Sequence, residues 1–570
     1  MPPTFRGTGA EIVVQALAKS GVAVVFGVPG DTGVALYDAL ARQSAVRHVL
    51  ANDERGAAFM ADVYARRTNG LGVLEVSSGG GVTFAVGGLG EAFAASVPIL
   101  VITSDISRRS RNTGALTEID QTALFSGVTK WRATAESAED LPRLLSTAIE
   151  TALTGRPAPV VVIIPEDVLD EVADVRINLL RILLPWARPN AAAEQVEILA
   201  ERFRTATRPV MVCGGGVHLS RAYEQVAHLA QLAGVPIATT LHGKGAIAES
   251  SEWSLGVVGA NGGGDAANRY VASIDWALLV GSRSNATDTS NFTAPPRTAP
   301  TIAQIDIEPT RAGRNYPGAI SLVGDAAVCL DHLLKLLPRA ADTVREQRLR
   351  EVRIVRELDE YKDHGQPGRG VDPGRLFASL SSALPSDVPI VSDCGTPTPY
   401  LGAAWRLREA GRWLVLARGH GPMGYALPGA VGAALADQDR RVLAIITDGS
   451  LLMAAGALET AARLCLPITY IHLNNASLGW MKALQHLYYG RRYFETDLTN
   501  FDAVGVARGF GLNARRARDV ADVIGEVQQA MSVPGPTFID VEIPDESEFI
   551  PPVASWKLAA KGEEIARPTY

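Results

Sequence analysis

The chain has 570 residues, too many for one hydrophobic core, and its length predicts about three or four domains. Hydrophobic residues make up 47% and charged residues 20%, as in globular proteins; 54 Lys and Arg against 61 Asp and Glu give a net charge of −7, which argues against a nucleic-acid partner. No apolar run is long enough to span a membrane, the N-terminal MPPTFRGTGAEI lacks the apolar core of a secretion signal, and Cys213, Cys329, Cys394 and Cys465 form no CxxC pair. The expectation is therefore four buried thiols and a cytoplasmic protein with neither a zinc site nor a disulfide framework.

The first predicted helix runs from Thr8 to Lys19, with Ile12, Val13, Ala16 and Leu17 on its apolar face. The strand Val22–Gly27 follows and ends in the tight turn Val28-Pro29-Gly30-Asp31. Next come Asn52-Asp53-Glu54-Arg55, opening an Ala-rich helix, and the glycine cluster Ser77-Ser78-Gly79-Gly80-Gly81 between the strand Val73–Ser77 and a helix. A short apolar strand behind a proline recurs at Pro98, Pro236, Pro389 and Pro467, a position where proline costs no ladder donor. Continuous apolar strands interleaved with Ala-rich helices predict parallel sheets covered on both faces. The fold class is thus α/β, with three successive doubly wound parallel-sheet domains. Linkers are expected at Leu184–Asn190 and Lys362–Asp372, which gives domains 1–185, 186–360 and 361–570. The middle domain carries Gly214-Gly215-Gly216 after the strand beginning at Pro209, and a second strand ending in Asp306.

The third domain holds the most informative stretch. A buried strand, Val442–Ile446, runs into Thr447-Asp448-Gly449-Ser450, and a second, Ile468–Leu473, runs into Asn474-Asn475. Adjacent parallel strands would deliver a carboxylate and a carboxamide to one sheet edge. Such oxygen ligands suit Mg²⁺, which takes few protein ligands and completes its octahedron with phosphate and water. The tail after Pro552, with Trp556, reads either as a surface lid or as a frayed end.

This pattern resembles the GDG…NN motif of thiamine diphosphate enzymes, with Thr447 in place of the first glycine. The resemblance extends over roughly residues 8 to 550, in the domain order of the acetolactate synthase, pyruvate oxidase and benzoylformate decarboxylase group. It implies Asp448, Asn475 and the Ser477 carbonyl as metal ligands. Glu54 falls on the cofactor-activating glutamate, whose carboxylate at the aminopyrimidine places a base beside the C2 proton. Asp393-Cys394-Gly395-Thr396-Pro397-Thr398 resembles a diphosphate-contacting segment, with Gly395 allowing close approach and Thr396 offering a donor. His420-Gly421-Pro422-Met423-Gly424 resembles the loop in which Met423 wedges between the cofactor rings and the Gly421 carbonyl accepts from the amino group. Gly449 belongs to the metal motif, and Ser450 is expected to donate to the diphosphate. The turn at Ser77–Gly81, with Gly80 replacing a proline and Phe84 an asparagine, is expected to serve a neighbouring site across a dimer interface.

The expected cofactors are thiamine diphosphate and Mg²⁺. FAD in the central domain is disfavoured, because Arg283-Ser284 stands where flavin-bearing members carry Arg-Phe. The expected activity is C–C bond lysis or ligation on a 2-oxo acid, of acetolactate-synthase type. The alternatives are a 2-hydroxyacyl-CoA lyase or other acyloin-cleaving enzyme acting on an acyl-CoA, and a catalytically silent paralogue that binds thiamine diphosphate as a regulatory subunit. Partners are a small molecule and further copies of the chain, as homodimer or homotetramer, without nucleic acid or membrane.

Overall fold

Proline sets the start of a strand in all three parts of the chain. The strands Ile99–Asp105, Ile237–Thr239, Ile390–Ser392 and Ile468–Asn474 each begin one residue after a proline. The missing N–H thus falls outside the ladder, while the proline carbonyl still accepts from the neighbouring strand, as from Gly72 to Pro98 (3.1 Å) and Val442 to Pro467 (2.9 Å). The computed structural model describes residues 4–177, 182–298, 300–361, 370–563 and 567.

Three six-stranded parallel sheets result. The first has the spatial order 47–50, 24–27, 72–76, 99–105, 160–165, 131–134. The third has the order 414–416, 390–392, 442–447, 468–474, 537–542, 513–517, which is the same topology. The middle sheet runs 254–257, 237–239, 209–213, 276–280, 301–306, 320–323, the dinucleotide-fold order. Ligands of such sheets bind beyond the carboxyl ends of the strands where the order reverses. In the third sheet that switch point lies between 390–392 and 442–447, so the loops after both strands are aimed at it.

Helix ends follow local chemistry. Thr8 caps the Gly9–Lys19 helix in a capping box with Glu11, and Asp53 caps Glu54–Thr68 through the Gly56 N–H. The helices Glu54–Thr68 and Ala426–Ala436 cross at very close range, with Gly432 against the Met60 backbone. Their contact joins the first and third sheets into one apolar core that includes Phe59, Met60, Tyr425 and Val431.

Several expectations change. Phe5–Thr8 pairs antiparallel with Val172–Val175, a ribbon formed from segments too short and too far apart to be read in advance. Cys213 and Cys329 are buried, but Cys465 is exposed, because it sits in a left-handed turn just after the Ala457–Arg463 helix. The tail is no frayed end over its described part. Trp556 is buried against Trp480, with ring centroids 4.3 Å apart, and Gly262 donates to the Pro552 carbonyl (3.2 Å). Of the second expected linker, residues 362–369 lie outside the described residues. No helix among the described residues is long and apolar enough to cross a membrane.

Candidate active site

A cavity of about 560 Å³ opens at the switch point of the third sheet. That volume falls in the range of small-molecule sites, roughly 300–1,000 Å³. Gly395, Thr396, Gly421, Met423, Gly449, Asn475 and Ser477 all line it. Asp448 lies just beneath its wall, flanked by the lining residues Thr447 and Gly449, and is buried.

The strands explain the placement. Thr447 pairs with Leu473 across adjacent parallel strands, so the residues that follow each emerge side by side. Asp448 Oδ2 accepts from the Asn475 N–H (3.0 Å), and Asp448 Oδ1 stands 3.4 Å from His472 Nε2. His472 Nδ1 in turn bonds Asp540 Oδ1 (2.9 Å), and Arg516 donates to the other Asp540 oxygen (2.8 Å). Burial opposes a charge on the imidazole, but the flanking carboxylates of Asp448 and Asp540 outweigh it and raise its pKa. His472 thus orients the aspartate from behind. Within an apolar strand, a lone histidine carried no motif to announce this.

Glu546 is the largest addition to the predicted set. It is buried in the same cavity, where its carboxyl accepts from the Asn475 amide (2.6 Å) and from the Thr396 hydroxyl. Gly479 makes room for it, since a methyl there would overlap the carboxylate. Burial pushes the Glu546 carboxyl up to about 7. The Thr396 hydroxyl is therefore engaged by Glu546 and is not a free donor.

The donor set fits a hydrated divalent cation with a diphosphate. Asp448 and Glu546 flank Asn475, and neither has a Lys or Arg partner among the described residues. The Asn475 amide nitrogen is used by Glu546, which leaves its oxygen as a ligand. Among the described residues no cluster of three His, Cys, Asp or Glu side chains could hold a metal. Gly395 is left-handed (φ 85°), with open space where a Cβ would stand, so the backbone can approach a ligand.

The loop between Leu416 and Ala426 forms the opposite wall. Gly424 N–H donates to Ser450 Oγ (3.1 Å), and Tyr425 and Ala426 N–H donate to Asp393 Oδ1 (2.8 and 3.1 Å). Burial raises Asp393 to about 6. The Ser450 oxygen thus accepts from the loop, and Ser450 does not line the cavity. Met423 reaches over Gly449, where a side chain would collide with its methyl, while Leu478 closes the other side. Glu54 stands outside this cavity. It is half-buried beside Ser77 and Gly81, and burial raises its carboxyl above the usual carboxylate range.

A second cavity, of about 150 Å³, lies at the switch point of the middle sheet. Gly214 and Gly216 pack directly on the Gly281 turn there, which accounts for the glycine cluster as close backbone packing.

Sheets of this order, with an acid–amide pair at a switch point, form an α/β protein whose cavity suits a phosphate-bearing ligand. Two comparisons agree. Residues 7–124 match the thiamine pyrophosphate enzyme N-terminal TPP binding domain, 196–333 the central domain and 393–541 the C-terminal TPP binding domain. The chain is 31% identical over 558 residues to a probable acetolactate synthase large subunit of Methanocaldococcus jannaschii, covering 96% of this chain and 93% of that one. It is 32% identical over 568 residues to the acetolactate synthase large subunit of Corynebacterium glutamicum, covering 96% and 89%. The chain belongs to the thiamine pyrophosphate enzyme family, within its acetolactate synthase and pyruvate oxidase group, and is a thiamine diphosphate-dependent enzyme.

Proposed function

We propose that the protein is a thiamine diphosphate- and Mg²⁺-dependent lyase or ligase that breaks or forms a C–C bond at the carbonyl of a 2-oxo acid. The observation that carries this reading is the Asp448–Asn475 pair beside the open backbone of Gly395, in a chain related throughout to acetolactate synthases. When bound, the cofactor supplies a nucleophilic carbon and the electron sink for decarboxylation. In this reading Asp448, the Asn475 oxygen and the Ser477 carbonyl hold the cation, and Gly395 and Gly449 admit the diphosphate. Met423 fills the space between the rings, the Gly421 carbonyl accepts from the amino group, and Glu54 holds a proton at the pyrimidine nitrogen.

Glu54 stands outside the cavity of its own chain, so the proposed complete site needs a second copy. Exposed Val34, Leu50, Phe84, Leu452 and Met453 offer the apolar surface for a two-fold dimer, which two dimers would pair into a tetramer. The domains are proposed as 1–185, 186–360 and 361–570. The central domain works without FAD in this reading, because Arg283-Ser284 stands where flavin-bearing members carry Arg-Phe. Retention of Glu54, Asp448 and Asn475 weighs against a silent paralogue. The test is incubation with a panel of 2-oxo acids and 2-hydroxyacyl-CoAs, with thiamine diphosphate and Mg²⁺, followed by mass spectrometry. Turnover of a 2-oxo acid with CO₂ release is expected; turnover of the CoA esters alone would replace this assignment.

A further inference from the structure

The helix Gly80–Ala95 is built almost wholly of small and apolar residues, yet it carries one carboxylate, Glu91, which is fully buried. A buried charge must be paired and hydrogen-bonded or it is costly. Glu91 meets this demand in an unusual way. Its Oε1 accepts from the Gly419 N–H (2.8 Å), and its Oε2 from the N–H groups of His420 (2.7 Å) and Gly421 (3.2 Å). One carboxylate of the first domain thereby gathers three successive backbone donors of the third.

Those donors open the loop that walls the candidate cofactor cavity. Its other end is fixed within the third domain, by Asp393 at Tyr425 and Ala426 and by Ser450 at Gly424. Between the two clamps lie Pro422 and Met423. Gly421 and Gly424 are both left-handed (φ 72° and 77°), so the segment has no regular structure of its own to hold it. Gly419 permits the approach, since a Cβ there would stand 3.0 Å from Glu91 Oε1 and 2.9 Å from the Ala94 methyl. Gly90 likewise leaves room for the His420 ring. Behind Glu91, Arg66 stands 3.4 Å away and donates to Asp62 at 3.0 Å, while Asp62 accepts from the Tyr425 hydroxyl (2.5 Å).

We propose that Glu91 is a positioning residue of the cofactor site: from the first domain it fixes the Gly419–Gly421 segment and so sets where Gly421 and Met423 meet the cofactor. This rests on the cofactor reading given above. Glutamine at this position has one oxygen for three donors, and its NH₂ would face N–H groups, so at least one buried donor is orphaned. Cofactor binding must then order a loosened loop, which predicts roughly tenfold to hundredfold weaker binding.

The test uses the full-length protein and three variants, Glu91→Gln, Glu91→Asp and Asp62→Asn. Calorimetric titration with thiamine diphosphate at saturating Mg²⁺ gives the affinity, and C2 proton–deuterium exchange in the bound cofactor gives its activation. Failure of the wild-type protein to bind would defeat the cofactor reading itself. With wild-type binding in place, Glu91→Gln should bind about ten- to a hundredfold more weakly and exchange more slowly. Glu91→Asp keeps the charge beside Arg66 but withdraws the carboxylate by one methylene, and should lose in the same direction. Asp62→Asn disturbs the Arg66 and Tyr425 hydroxyl contacts but removes no acceptor from the Gly419, His420 and Gly421 N–H groups, and should lose clearly less than Glu91→Gln. Wild-type affinity and exchange in both Glu91 variants, or equal losses in Glu91→Gln and Asp62→Asn, would reduce Glu91 to a member of a stabilising charge network and overturn the proposal. Should Glu91→Gln not fold, Glu91→Asp against Asp62→Asn makes the same decision.

Discussion

Replacing Gly432 by alanine should separate the two helices on which the site depends. Gly432 lies in the Ala426–Ala436 helix, and an added methyl would fall inside contact distance of the Met60 carbonyl oxygen, 2.9 Å from its carbon and 3.0 Å from Met60 Cα. Ordinary contact begins near 3.4 Å and the carbonyl oxygen is the nearest atom, so the backbones must part by roughly 1 Å or more. All three atoms are backbone, and no side-chain rotation relieves the overlap. Overpacking of this kind costs about 1–3 kcal/mol. The helix that is pushed away begins at Glu54, and misplacement of a reacting group by about 1 Å costs roughly a hundredfold in rate. Gly525 provides the opposite control. It is exposed in the Val520–Ala530 helix with nothing within 4 Å of a Cβ, so Gly525→Ala should stabilise by about 0.5–1 kcal/mol. Denaturant midpoints of both variants, followed by fluorescence and circular dichroism together, measure the pair, and turnover of the 2-oxo acid measures the helix displacement. If Gly432→Ala keeps the wild-type midpoint and rate, the close helix crossing is not the constraint argued here.

Asp448→Ala should purify without thiamine diphosphate or Mg²⁺, since the cation holds the diphosphate; stoichiometric cofactor in the variant would contradict the metal assignment. Glu54→Gln should still bind thiamine diphosphate but exchange its C2 proton about 10²- to 10⁴-fold more slowly, read by NMR after acid quench; wild-type exchange would leave Glu54 a helix-opening residue only. His48 is pushed down to about 4 by burial, against an ordinary 6.5. The unfolded chain therefore binds the extra proton between these values, so stability is complete above about pH 6.5 and falls as pH drops toward 4, by about 3 kcal/mol in all. His48→Gln should flatten that part of the pH–stability curve, and an unchanged slope would place the acid sensitivity elsewhere.

The sequence made the third sheet's site legible because its chemistry is local. Each half of the Asp448 and Asn475 motif sits at the end of a buried apolar strand, and adjacent parallel strands can only bring such ends together. Three parallel α/β sheets followed from the same continuous runs. What escaped notice acts at a distance. Glu91, Glu546 and His472 each stand alone in an apolar or irregular stretch, and their partners lie 328, 71 and 68 residues away in the Gly419, Asn475 and Asp540 contacts. The available signal was negative: a carboxylate inside the small-residue run of residues 85–95 cannot be buried without partners. Thr396 lines the cavity, but its hydroxyl is engaged by Glu546, and the Ser450 oxygen accepts from Gly424. That choice is set by loop geometry, which spacing does not encode.

The central claim is that each site is assembled from two chains, with Glu54 from one and the Asp448 cradle from the other. Co-expression of Glu54→Ala with Asp448→Ala tests it most directly, using two tags to isolate hybrid dimers. Each variant alone should be inactive on the 2-oxo acid, while the hybrid carries one site with both defects and one with neither. Partial recovery of turnover in the purified hybrid is the predicted result. No recovery from verified hybrid dimers would mean that Glu54 and Asp448 serve the same site within one chain, and the account would fail at its base.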